Sequence, residues 1–169
     1  SDVCSSDLNP DRKLIELSDL FKNVTSFSLE IGFGGGEHLV YQAERNPNIG
    51  FIGCEPYING VAMLAGKLSK TELTNVRIHP GDVRDLFDVL PDDSIDSAYL
   101  LYPDPWPKKR HHRRRFVTSE YLIDLQRVMK TGALLKLATD IPDYVRQSLQ
   151  EVCKHHFSWT ANDAQDWRE

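Results

Sequence analysis

Five short runs of apolar and β-branched residues alternate with stretches whose apolar positions recur at helical spacing, and that alternation sets the expected architecture. Residues 27–31, 49–54, 76–79, 94–101 and 133–138 read as strands. Residues 37–45, 58–68, 83–90 and 119–128 read as helices; Ile58, Val61, Leu64, Ala65 and Leu68 mark one apolar stripe, and Tyr121, Leu122, Leu125 and Val128 another. Asn46-Pro47-Asn48 ends the first helix, and Lys130-Thr131-Gly132 is expected to stop the fourth. A fifth helix opens around Asp140-Ile141-Pro142-Asp143-Tyr144, and residues 157–160 are expected to start a sixth strand. Residues 1–26 form a patternless leader and a packing arm, the latter a short helix or irregular segment over residues 9–23, and residues 27–169 form the main domain. Strands alternating with helices give an α/β fold with a mainly parallel central sheet and helices on both faces.

Ligands on such sheets bind beyond the carboxyl ends of the strands. Five of those ends carry informative residues. The first strand runs through Glu30 into Gly32-Phe33-Gly34-Gly35-Gly36; Glu55, Asp82, Asp104 and Asp140 stand just past the next four. A solvated strand end accounts for any one of these acids, but their recurrence at consecutive ends points to one acidic crevice.

At 169 residues the chain fits one domain, and 27% charged with 40% apolar residues gives no reason to expect disorder in its body. The start lacks a secretory pattern and no apolar run is long enough to cross a bilayer, so a cytoplasmic protein without a membrane partner is expected. Cys4, Cys54 and Cys153 are too few and too widely spaced for a disulfide framework or a thiolate zinc site, and no metal is expected. Cys54 and Cys153 read as core or near-core thiols. Oligomeric state is not legible beyond monomer or weak homodimer.

Charge is distributed unevenly. Between Tyr102 and Arg115 the chain passes from Pro103, Pro105 and Pro107 to Lys108, Lys109, Arg110, Arg113, Arg114 and Arg115, with His111 and His112 between them. The formal net charge is −5, so the rest of the chain carries −11 once these six positives are set aside. A basic patch on an acidic protein suits a polyanion. The prolines stiffen the loop and fix the directions of Asp104 and Trp106. Trp106 suits base stacking or a loop anchor.

The glycine turn breaks the dinucleotide pattern, since a Gly-x-Gly-x-x-Gly started at Gly32 would need glycine at Glu37; no Lys-Ser/Thr pair follows to make a triphosphate loop. Glu30 before the turn would oppose a pyrophosphate but attract an ammonium group. Glu55 is placed to accept from ribose hydroxyls and Asp82 from an adenine amino group. A cationic nucleoside ligand without phosphates fits, and S-adenosyl-L-methionine is the favoured one.

Four motifs make the reading specific: Leu29-Glu30-Ile31-Gly32-Phe33-Gly34-Gly35-Gly36-Glu37, Phe51-Ile52-Gly53-Cys54-Glu55, the whole segment from Tyr102 to Arg115, and Leu137-Ala138-Thr139-Asp140. Together they closely resemble the bacterial tRNA (guanine-N7-)-methyltransferase family over about residues 27–160. The resemblance implies a Rossmann-like class I methyltransferase that forms N7-methylguanosine at position 46 of the tRNA variable loop. It implies cofactor contacts from Glu30, Gly32, Gly34, Glu55, Asp82 and Asp104, with Asp104 also catalytic. It further implies substrate contacts from Lys108 and Asp140, and RNA contacts from Arg110, His111, His112, Arg113, Arg114 and Arg115. The family's C-terminal Thr-x-Tyr-Glu motif is not found before the chain stops at Asp166-Trp167-Arg168-Glu169, so a domain lacking its C-terminal strand is expected.

Guanine N7 carries an in-plane lone pair, so no side chain has to remove a proton first. Asp104 and Asp140 are suited to accept from guanine N1–H and its 2-amino group. Two alternatives remain at this stage: a tRNA-binding fragment without turnover, and a small-molecule methyltransferase whose basic loop grips an anionic metabolite.

Overall fold

The computed structural model describes residues 13–160. Its elements follow in the order α1 (Leu17–Leu20), β1 (Ser26–Ile31), α2 (Glu37–Arg45), β2 (Ile49–Cys54), α3 (Ile58–Leu68), β3 (Val76–His79), α4 (Val83–Val89), β4 (Ile95–Leu101), a 3-10 segment (Lys109–Arg114), α5 (Ser119–Val128), β5 (Met129–Ala138) and α6 (Pro142–Val152). All strand pairs are parallel, in the order β3-β2-β1-β4-β5. Strand order therefore reverses between β1 and β4, and the crevice that such a reversal opens lies beside Glu30 and the segment after Leu101.

Two apolar clusters cover the two faces of the sheet. Leu29 and Ile31 of β1 and Ile52 and Cys54 of β2 pack with Leu86 and Phe87 of α4, Leu122 and Leu125 of α5 and Tyr144 of α6. Phe51, one residue out of phase, packs on the opposite face with Leu39 and Ala43 of α2 and Leu64 of α3. Alternation along β2 thus fills both layers, as a sheet between helices requires.

Local chemistry sets several ends. The amide of Asn46 and its side-chain nitrogen both donate to the Gln42 carbonyl, 3.0 and 2.9 Å away, and close α2. Asp82 caps α4 by accepting from the Arg84 amide at 2.9 Å. Pro142 opens α6, where its missing N–H costs nothing.

Some sequence expectations need correction. Lys130-Thr131-Gly132 is no turn: α5 passes straight into β5, which pairs with β4 from Met129 onward, and the irregularity is absorbed as a register shift between Ile95 and Ser97. Asp96 at that shift accepts from the Phe27 amide at 2.8 Å and from Lys130 Nζ at 2.8 Å, which explains an acid inside an apolar run. Residues 157–160 form no strand, and the expected arm has one helical turn, α1. The expected stiff loop leaves β4, but its basic part, Lys109–Arg114, is wound into a 3-10 helix. The expected leader over residues 1–8, and residues 162–169 with their missing motif, lie outside the described residues. Cys54 is buried, but Cys153 is exposed at the end of α6.

Candidate active site

The glycine turn begins where β1 ends. Gly32 and Gly34 have φ of +70° and +55°, conformations that L side chains rarely adopt, and a Cβ on either would meet nothing within 4 Å. The space beside the turn is open at both positions. Gly60 of α3 packs against the turn from behind: a Cβ there would lie 2.4 Å from the Gly34 carbonyl oxygen.

Glu55 holds the turn in place. Its Oε2 accepts from the Gly34 amide at 2.9 Å and its Oε1 from the Tyr57 amide at 3.0 Å. The carboxylate is buried, and each oxygen keeps a second lone pair. Lys67 of α3 adds a bond from Nζ to the Gly35 carbonyl, 2.8 Å, and pairs with Glu37 at 2.9 Å.

Glu30 is also buried and lies 2.7 Å from His38 Nδ1. The other ring nitrogen of His38 faces Gln42 Nε2 at 3.3 Å, and the ring sits 4.7 Å from that of Tyr99. An amide nitrogen only donates, so the assigned network makes Nε2 the acceptor and Nδ1–H the donor to Glu30.

Asp82 is less free than expected. Both of its oxygens are engaged by Arg84, Oδ1 with Nε at 3.0 Å and Oδ2 with Nη2 at 3.1 Å. Partial burial pushes its pKa up, yet Arg84's hydrogen bonds and charge, with His79, hold it below the usual carboxylate value. One lone pair on Oδ2 remains for a further donor.

Beyond β4, Tyr102 and Trp106 adopt φ of +50° and +39°, which is uncommon for bulky residues and persists where the surroundings over-determine it. The Tyr102 amide donates to the Ala138 carbonyl at 2.7 Å, which places the start of the Asp104 loop beside the Thr139-Asp140 turn. Asp104, Asp140 and Lys108 are all exposed. Trp106 is braced by its own segment: Arg114 lies over its ring at 5.1 Å and His111 meets it edge-on at 6.1 Å.

Lys109, Arg110, Arg113 and Arg114 face solvent, and His111 and His112 are half-buried. Arg115 departs from the expected RNA-contacting set. Its side chain is 1% exposed, because it turns inward under the loop to meet Pro105, Asp143 and Gln147. No phosphate reaches an enclosed guanidinium. His112 also turns toward Asp143, 3.5 Å away.

His38, Gly60, Lys67 and Asp143 were not singled out by sequence reasoning. Nothing in their spacing marks them, since each acts on a motif residue from a neighbouring helix. Among the described residues no group of three or more His, Cys, Asp or Glu is arranged to hold a metal ion, and no helix is long and apolar enough to cross a membrane.

The sheet order, the glycine turn at its reversal and the acids past its strands define a class I S-adenosylmethionine-dependent methyltransferase fold. Solved structures with this architecture include a precorrin-6y C5,15-methyltransferase from Geobacter metallireducens (TM-score 0.63, 17% identity, 82% of this chain and 67% of that one) and an S-adenosylmethionine-dependent O-methyltransferase from Thermotoga maritima (TM-score 0.60, 18% identity, 82% and 46%). A sequence family described as "Putative methyltransferase" matches residues 25–169. The tRNA (guanine-N(7)-)-methyltransferases of Roseobacter denitrificans and Ruegeria pomeroyi are 63% and 64% identical to this chain, over 95% of its length and 68% of theirs. The chain belongs to the tRNA (guanine-N7-)-methyltransferase family.

Proposed function

We propose that this chain binds tRNA and transfers a methyl group to N7 of guanosine 46 in the variable loop, in the cytoplasm. The observation that carries the reading is the presence of two features past the carboxyl ends of neighbouring strands: the buried Glu55 clasping an open glycine turn, and the exposed Asp104 loop leading into solvent-facing Lys109, Arg110, Arg113 and Arg114. The first suits a nucleoside cofactor and the second a polyanion.

S-adenosyl-L-methionine supplies, when bound, a methyl group activated by a sulfonium. The open backbone at Gly32 and Gly34 fits such a group, and Glu55 retains acceptor capacity for ribose hydroxyls. Asp82 would offer its one remaining lone pair to an amino group, and Glu30, held by His38, would attract the cationic end of the ligand. Asp104 and Asp140 accept from guanine N1–H and the 2-amino group. Both carboxylates then stabilise the positive charge that develops on the purine as N7 is alkylated. Because N7 brings its own lone pair, rate comes mainly from alignment. Lys108, exposed just before the 3-10 segment, contacts substrate, while the exposed arginines and His111 contact phosphate and fix the register of the tRNA.

The small-molecule alternative is disfavoured because four exposed cations, Lys109, Arg110, Arg113 and Arg114, lie along the 3-10 segment, a longer row than one small anion needs. Incubation with labelled S-adenosylmethionine and unmodified tRNA, followed by borohydride reduction and aniline cleavage, tests the reading. Cleavage at position 46, lost when that guanosine is replaced by adenosine, is expected; label elsewhere, or transfer to free nucleotides alone, contradicts it.

A further inference from the structure

Arg115 closes the most cationic stretch of the chain, yet its guanidinium is the group there that solvent does not reach. Its Nε donates to the Pro105 carbonyl at 2.7 Å, Nη1 to Gln147 Oε1 at 2.8 Å, and Nη2 lies 2.9 Å from Asp143 Oδ2. The guanidinium carbon sits 4.9 Å above the Tyr144 ring. Gln147 in turn donates to the Val117 carbonyl at 3.1 Å, and the Tyr144 hydroxyl accepts from the Val117 amide at 3.2 Å. Nε and Nη1 are thus hydrogen-bonded, while Nη2 meets Asp143 as an ion pair and makes no hydrogen bond of its own; a buried charge is retained when it is paired in this way.

Two loops meet at these contacts. Pro105 follows Asp104 directly, between the positive-φ residues Tyr102 and Trp106. Asp143 and Gln147 lie in the first turns of α6, which starts just after Asp140. We propose that Arg115 is a positioning residue that ties the Asp104 loop to the start of α6, so that Asp104 and Asp140 keep a fixed separation when guanine enters between them. The bond from the Tyr102 amide to the Ala138 carbonyl is the rigid rung on the sheet side; Arg115 is the rung on the helix side. A planar fork is needed because two hydrogen-bond acceptors and one carboxylate, in different directions, are met at once, which a lysine cannot do. The inference rests on the proposed roles of Asp104 and Asp140 in guanine binding.

The test compares Arg115→Lys, Asp143→Asn and Arg113→Gln with the parental chain. Amide hydrogen exchange is followed for residues 102–118 and 139–147, tRNA affinity is measured against salt, and single-turnover methylation is measured at saturating tRNA. For Arg115→Lys, exchange accelerates in those two segments and not in the sheet, the salt slope is unchanged, and the saturated rate falls on the order of 10- to 100-fold. Asp143→Asn, which removes one exposed arm and leaves the fold intact, gives the same pattern with smaller amplitude. Arg113→Gln instead weakens tRNA binding and reduces the salt slope by about 0.7. Unchanged exchange in Arg115→Lys, or a reduced salt slope with the parental rate at saturation, overturns the proposal. A parental chain that forms no N7-methylguanosine contradicts the proposed function, and the clamp is then decided by the exchange pattern alone.

Discussion

The amide of Gly34 donates to Glu55 Oε2 across 2.9 Å, so one buried carboxylate at the end of β2 sets the shape of the turn at the end of β1. Glu55 is therefore both a candidate ligand contact and the brace of the loop that contacts the rest of the ligand.

Replacing Glu55 by Gln puts an amide NH2 opposite a backbone donor and loses at least one of two bonds. Leaving a buried donor unpaired costs about 1–3 kcal/mol. Calorimetric titration with S-adenosylhomocysteine is expected to show at least about tenfold weaker binding.

Gly60 and Gly66 lie in the same helix but predict opposite results on substitution by Ala. At Gly60 the new Cβ meets the Gly34 carbonyl at 2.4 Å, and backbone has to shift; about 1–3 kcal/mol of stability is lost, and cofactor affinity falls. At Gly66 nothing lies within 4 Å, and the higher helix propensity of Ala adds up to about 1 kcal/mol. Thermal melts and cofactor titrations of the two variants check the contrast.

Asp143 links stability to pH. Contact with Arg115 first of all, outweighing the opposing effect of burial and aided by the charges of Arg115, His112 and Arg146, holds the Asp143 carboxyl below its ordinary range. A carboxyl depressed in the folded state stabilises the fold above the unfolded pKa, and that stabilisation is lost as pH falls through the folded value. Urea denaturation is expected to show Asp143→Asn less stable than the parent at pH 7, with the gap closing below about pH 4.

Burial pushes the Cys54 thiol up to about 12, so it stays protonated and unreactive near neutral pH, whereas Cys153 is exposed. Mass mapping after mild alkylation is expected to find label on Cys153, none on Cys54, and unchanged methylation.

The fold was largely legible because its signals are local. Runs such as 49–54 and 76–79 are bounded by Pro, Gly and Asn, and α2, α3 and α5 carry apolar stripes at helical spacing. Asp82 was read as an acid at a strand end, and its capping of α4 came only with the structure. Failures came where tertiary pairing overrode local preference: Lys130-Thr131-Gly132 looks like a stop, but β4 recruits it into β5. Candidate acids were found from their register past the strands. What holds them, His38 against Glu30, Arg84 against Asp82 and Arg115 beneath the Asp104 loop, depends on helix placement that spacing does not encode. Six like charges within eight residues are indistinguishable on paper, and packing alone separates Arg115 from its neighbours.

The division of labour between the acidic crevice and the basic 3-10 segment is tested most directly by measuring S-adenosylhomocysteine and tRNA binding, each against salt, for the parent, Glu55→Gln, and a variant with Lys109, Arg110, Arg113 and Arg114 all replaced by Gln. Three or four engaged phosphates give the parent a slope of log affinity for tRNA on log salt of about −2 to −3. The account predicts that Glu55→Gln loses the cofactor analogue and keeps that slope, while the neutralised segment loses tRNA affinity and most of the slope but keeps the analogue. A neutralised segment that binds tRNA with the parental slope contradicts it, as does a Glu55→Gln chain that binds the analogue as tightly as the parent.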